Sequence, residues 1–199
     1  IISDTDDIEF VVEWLFINYR YFDEVIAKAR KMASDHFLEK PLFYVKYVDV
    51  NDPEIVKLAK GIIFEYPELY KSVPLILDDK ELILDLIEIT NGDVYYYLSN
   101  EFKNDLEILE AALKKNEDVC YYVNVDDPNV LDFIKNHVME YPIFISRVPN
   151  LITDKESALK LIHYRDGFIY SYLPDDLKND FDICSAVLEF SARKIFDFP

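Results

Sequence analysis

The chain carries a copy of part of itself. Residues 48–122 align with residues 123–197 at a constant offset of 75 and without a gap, and about 26 of the 75 pairs are identical. Val48-Asp49-Val50-Asn51-Asp52-Pro53 answers Val123-Asn124-Val125-Asp126-Asp127-Pro128, and Glu65-Tyr66-Pro67 answers Glu140-Tyr141-Pro142. Asp79-Lys80-Glu81 answers Asp154-Lys155-Glu156, and Lys103-Asn104-Asp105 answers Lys178-Asn179-Asp180. A duplicated block must fold the same way twice and find a partner for its apolar face, which points to stacked repeats.

Each block divides further. Aspartates that can start helices fall at Asp52, Asp79 and Asp105, then at Asp127, Asp154 and Asp180. An aspartate at the N-cap accepts from the unpaired amides of the first turn, and its charge opposes the positive end of the helix dipole. Asp52-Pro53-Glu54 adds a proline at the first helical position, where its missing amide costs nothing. The segments that follow have helical period: Leu82, Ile83, Leu86 and Ile87 in one, Ile108, Leu109, Ala112 and Leu113 in another. Asn91-Gly92 can supply a left-handed C-cap, and Tyr66-Pro67 and Tyr141-Pro142 are expected to end helices sterically.

After these stops come short aromatic stretches, Val94-Tyr95-Tyr96-Tyr97-Leu98 and Phe168-Ile169-Tyr170-Ser171-Tyr172-Leu173. Alone they resemble strands. A unit of about 25 residues instead has room for two short helices and tight turns, so they are expected to be second helices. The first 47 residues read as a diverged partial block, with helices expected over Asp7–Leu15 and Phe22–Met32. The expected fold is all-α: one continuous helical-repeat solenoid of roughly eight helix-turn-helix units, organised as residues 1–47, 48–122 and 123–199.

The stretch from Asn91-Gly92 through Lys103-Asn104-Asp105 to Ala111-Ala112-Leu113 resembles the uncharacterised helical repeat known as domain of unknown function 4116. Its pattern is asparagine-glycine, a short aromatic helix, leucine-lysine-asparagine-aspartate, then an aliphatic helix with an alanine pair. Asp166-Gly167 through Ala186-Val187-Leu188 is a second, weaker likeness, and together they cover about half the chain. The resemblance implies helical repeats of the kind found in large proteins of protists, giant viruses and intracellular bacteria. It implies no activity and supplies no catalytic residue.

Composition excludes several chemistries. Three glycines in 199 residues leave none for the glycine-rich loops of P-loop or dinucleotide-binding domains. His36, His137 and His163 lack the spacing of a zinc protease, no acid run has the alternation of a calcium loop, and no serine sits in a glycine-flanked turn. Catalytic, cofactor and metal residues are therefore expected to be absent. Cys120 and Cys184 stand among apolar residues and read as buried free thiols in a reducing compartment. No signal peptide is present, and the longest run without charge, Gly167–Pro174, is far short of the ~20 residues that span a bilayer. The reading is cytoplasmic, and the start at Ile1 suggests a segment of a longer protein.

Charge then suggests what the scaffold is for. Of the net charge of −18, residues 48–122 carry about −10, a field suited to a basic partner and hostile to nucleic acid or anionic lipid. Glu88, Glu110, Glu117 and Asp118 lie in that block and are candidate partner contacts. Tyr95, Tyr97, Tyr170 and Tyr172 recur in both blocks and are expected to pack between units. Tyr96 faces Ser171 in the alignment and Tyr122 faces Asp197, so these two are expected to be exposed anchors. The expected function is a non-enzymatic scaffold that binds a protein. The alternatives are an acidic decoy for a nucleic-acid-binding protein, or a recognition segment of a larger enzyme or effector.

Overall fold

The six aspartates are where the fold begins, and all of them cap. Asp52 Oδ1 accepts from the Glu54 amide at 2.9 Å and Asp79 Oδ1 from Leu82 at 2.9 Å. Asp105 accepts from Glu107 and Ile108, and Asp127 from Asn129 and Val130. Asp154 accepts from Ser157 at 2.8 Å, and Asp180 from Asp182 and Ile183 at 2.9 and 3.3 Å. Each bond satisfies an amide that the helix itself cannot, typically worth ~1 kcal/mol.

The computed structural model describes residues 4–148, 151–164 and 168–196. Every regular element among them is helical, either α or 3-10 (η), and the chain divides into two compact units, 1–99 and 100–199. The division after Ser99 falls inside the 48–122 block.

Unit 1 contains α1 (Asp4–Asn18), α2 (Asp23–Asp35), α3 (Pro41–Tyr44), α4 (Pro53–Gly61), η1 (Pro67–Lys71), η2 (Pro74–Ile76), α5 (Lys80–Ile89) and η3 (Asp93–Tyr97). Its core takes Ile55 and Ala59 from α4, Leu69 from η1, Ile76 from η2, Ile83, Leu86 and Ile87 from α5, and Val94 and Tyr95 from η3. The i, i+3, i+4 spacing in α5 is the helical stripe expected from sequence, and α4 buries an i, i+4 pair in the same way.

Unit 2 contains α6 (Asn100–Lys103), α7 (Leu106–Lys115), η4 (Glu117–Tyr122), α8 (Pro128–His137), η5 (Pro142–Ser146), α9 (Lys155–Tyr164), η6 (Phe168–Tyr172), α10 (Asp175–Lys178) and α11 (Phe181–Phe196). Ile108, Leu109, Ala112 and Leu113 of α7 are buried with Val119, Val130, Ile134 and Phe144. A further cluster joins Ile152, Ala158, Leu161, Ile162, Ile169 and Ile183.

The aromatic stretch at 93–97 is helical rather than extended, but it is a 3-10 turn, too short to settle into an α-helix. Gly92 is left-handed at φ 85° and Asn91 at φ 51°, and the Gly92 amide closes α5 by donating to Ile87 at 3.0 Å. The Tyr-Pro pairs act differently from expectation. The α4 helix stops at Gly61 and α8 at His137, whereas Pro67 and Pro142 open η1 and η5. Proline's fixed φ suits the first helical position, so the ring starts the next element instead of breaking the last. No helix among the described residues is long and apolar enough to cross a membrane.

Candidate functional site

The α7 helix buries its aliphatic stripe, which leaves Glu107, Glu110 and Lys114 facing outward. Glu110 and Lys114 form an i, i+4 ion pair at 2.6 Å. That bond and the attraction behind it hold the Glu110 carboxyl below the usual range and the Lys114 ammonium above its own. Asn116 is extended and ends α7, and its Oδ1 accepts from the Asp118 amide at 2.9 Å to start η4.

The tight η4 turn sends Val119 and Cys120 into the core and leaves Tyr121 and Tyr122 about half exposed, at 49% and 53%. Arg147 Nη1, at the end of η5, donates to the Cys120 carbonyl at 3.0 Å and ties η4 down from across the unit. Burial pushes the Cys120 thiol up to about 12 against the lowering influence of Arg147. It is a core thiol in neutral form at physiological pH, not a nucleophile. Cys184 is half-buried, and its Sγ donates to the Lys178 carbonyl at 3.1 Å. Both cysteines are free, although only Cys120 is buried as expected.

On α8, the His137 ring stacks against Phe133 at 4.1 Å, with Nδ1 2.8 Å from the Phe133 carbonyl oxygen. A carbonyl only accepts, so Nδ1 carries the proton. Tyr141 follows, buried with only 5% of its surface exposed. Its hydroxyl is pushed up to about 12, first by burial and then by the carboxylates of Glu140, Glu110 and Glu117. Three carboxylates from α7, η4 and the α8–η5 corner thus bear on one tyrosine. The face can offer negative charge and two tyrosine rings to a partner. Among the described residues no group of three or more histidines, cysteines or carboxylates is placed to hold a metal ion.

The six candidates divide between the units. Glu110, Glu117, Asp118 and Tyr122 lie on α7 and η4 of unit 2, with Asp118 and Tyr122 exposed and the two glutamates half-exposed. Glu88 is exposed on α5, and Tyr96 is half-buried in η3 of unit 1. The recurring tyrosines behave differently from expectation: Tyr95 is buried, but Tyr97 and Tyr172 remain 41% and 37% exposed. Tyr97 instead meets Tyr70 edge-on, with centroids 5.1 Å apart. Sequence reasoning did not single out Tyr121 or Glu140. The Tyr121-Tyr122 doublet directly after the apolar pair Val119-Cys120 was the available signal for the first.

Comparison with known proteins decides one point. Residues 79–126 match the model of a family described as Domain of unknown function (DUF4116). The match spans about a quarter of the chain, less than the half expected from sequence. The matched segment runs from the cap of α5 through η3, α6, α7 and η4, and holds all six candidate residues. No curated protein and no solved structure matches the chain.

Proposed function

We propose that the chain is a helical-repeat scaffold, without catalytic activity of its own, that binds a protein with a basic surface through the acidic, tyrosine-bearing face of unit 2. The observation that carries the reading is that the short η4 turn exposes Asp118, Tyr121 and Tyr122 together, directly after the outward Glu107 and Glu110 of α7. Tyrosines supply large contact area at small entropic cost, and an excess of one sign steers a partner of the other.

The repeat part of the proposal draws support from element positions. The α4, η1, α5, η3, α6 and α7 elements start at Pro53, Pro67, Lys80, Asp93, Asn100 and Leu106. An element of the same kind starts 75 residues after each, at Pro128, Pro142, Lys155, Phe168, Asp175 and Phe181. Repeats of this sort stack into solenoids with extended binding faces.

Affinity capture with the wild-type chain and with a Glu117→Gln, Glu140→Gln, Tyr122→Ala variant, read by mass spectrometry, tests the proposal. A basic protein retained by the first and lost by the second, at unchanged Tm, is expected; identical captures would refute it. The charge of about −10 over residues 48–122 also favours the decoy reading. Capture of a nucleic-acid-binding protein that collapses between low and high salt would select the decoy, since screening weakens contacts made by charge alone.

A further inference from the structure

Unit 1 carries a groove of opposite character. It has a volume of about 530 Å³ along α4, with an apolar lining of Pro53, Val56 and Leu75 and a basic edge of Lys57 and Lys60. Leu75, on η2, is 51% exposed. Lys60 is paired with Asp78 at 2.5 Å, while Lys57 is exposed and has no partner among the described residues. In a chain of net charge −18, the charged side chains that line this trough are both lysines, and one of them is unpaired.

Gly61 completes the groove, and neither conformation nor packing requires a glycine there. It ends α4 with no positive φ, and an added Cβ would meet nothing within 4 Å. Glycine in a helix costs about 1 kcal/mol relative to alanine, so its one structural effect at this position is to leave the groove open. The aligned positions of the second block are filled differently. Lys57 and Gly61 align with Asp132 and Asn136, whose side chains bond each other at 3.3 Å, and Leu75 aligns with Asn150. Lysine side chains near a helix C-terminus favour the dipole, which accounts for Lys60 but not for Gly61 or Leu75.

We propose that this groove binds an acidic peptide segment, seating an aliphatic or aromatic side chain on Val56 and Leu75 and a neighbouring carboxylate on Lys57. Charge complementarity selects the sign of the occupant. Shape selects a peptide over a small molecule: small-ligand sites enclose most of their ligand, whereas this groove is a shallow, open one. A second hollow of about 370 Å³ shares Leu75 with the first and is lined by Leu77, Tyr97 and Asp78, so the carboxylate of the occupant belongs at the Lys57 end. The site is built from residues of unit 1 alone and does not rest on the function proposed for unit 2.

The test uses the whole chain and two labelled octapeptides, one with a leucine pair flanked by glutamates and one with the same pair flanked by lysines. Amide shift mapping with the glutamate peptide should perturb residues 53–61 and 74–76. Lys57→Glu should weaken that peptide about tenfold, as expected for loss of one charge-assisted contact, and Gly61→Phe should abolish binding by filling the trough. Lys46→Glu, an equal charge change at an exposed lysine outside the groove lining, is the fold and charge control and should bind as the wild type. Absence of binding, shifts centred elsewhere, an unchanged affinity in Lys57→Glu, or preference for the lysine peptide would each overturn the proposal. So would concentration-dependent shifts in the groove without peptide, which would make its occupant a second copy of the chain.

Discussion

Lys155 Nζ lies 2.8 Å from Asp180 Oδ2, while Oδ1 of the same carboxylate caps α11. One aspartate therefore joins the start of α9 to the start of α11, and Lys155 also reaches Asp182 at 2.6 Å. The Lys155 ammonium, with the Ile183 and Asp182 amides, holds the Asp180 carboxyl below the usual range despite its partial burial. A lowered folded pKa stabilises above the unfolded value of about 3.9 and loses that contribution as pH falls through the folded value. Lys155 is raised by the same bonds, so its contribution holds below about 10.4 and fades as pH climbs through its own folded value. Urea unfolding of Asp180→Asn across pH should show a constant deficit near neutrality that shrinks below about pH 4. A deficit independent of pH would remove the ion pair from the account.

Two glycines should answer alanine with opposite signs. Gly61 stands in α4 with open space where a Cβ would go, so Gly61→Ala should raise stability by up to ~1 kcal/mol. Gly92 sits at φ 85°, where a side chain crowds the backbone, and Gly92→Ala should cost about 1–2 kcal/mol. Thermal unfolding of both variants checks the pair, and a destabilised Gly61→Ala would mean that the helix end is strained.

The parts of the fold that could be read in the sequence are those decided within four residues. The aspartate caps were legible because an N-cap bonds an amide two or three positions on, and all six do so. The left-handed pair Asn91-Gly92 was legible for the same reason. The environment of Tyr97 was not. Its recurrence in both blocks suggested packing, but its exposure depends on meeting Tyr70 across 27 positions, a contact that no local pattern announces. The convergence of Glu110, Glu117 and Glu140 on Tyr141 was likewise hidden, since it needs the path from α7 to η5. The groove on α4 was hidden too, because Leu75 joins it from a different element.

The two thiols should separate in reactivity. Cys120 is fully buried, and its thiol is pushed up to about 12, so both access and thiolate fraction oppose alkylation. Cys184 is half-buried and within reach of solvent. Iodoacetamide at pH 8 under native conditions should label Cys184, leaving Cys120 untouched until denaturant is added. Peptide mass spectrometry resolves the two sites, and equal labelling rates in the folded chain would contradict the burial of η4.

The bond from Arg147 to the Cys120 carbonyl gives the acidic face its rigidity, because it holds the turn that presents Tyr121 and Tyr122. That carbonyl also accepts from the Val123 amide, at a long 3.5 Å. Arg147→Met keeps much of the side chain's length and removes the charged donor, which should cost about 1–3 kcal/mol through an under-satisfied carbonyl. The loss should be local before it is global, since a short 3-10 turn has little stability of its own. Amide hydrogen exchange should therefore quicken across Glu117–Val123 while the Ile108–Leu113 stretch of α7 keeps its protection. Arg147→Lys, which retains a donor on a shorter reach, should recover part of the protection. Uniform loss across α7 and η4 would show that Arg147 supports the whole unit rather than the turn.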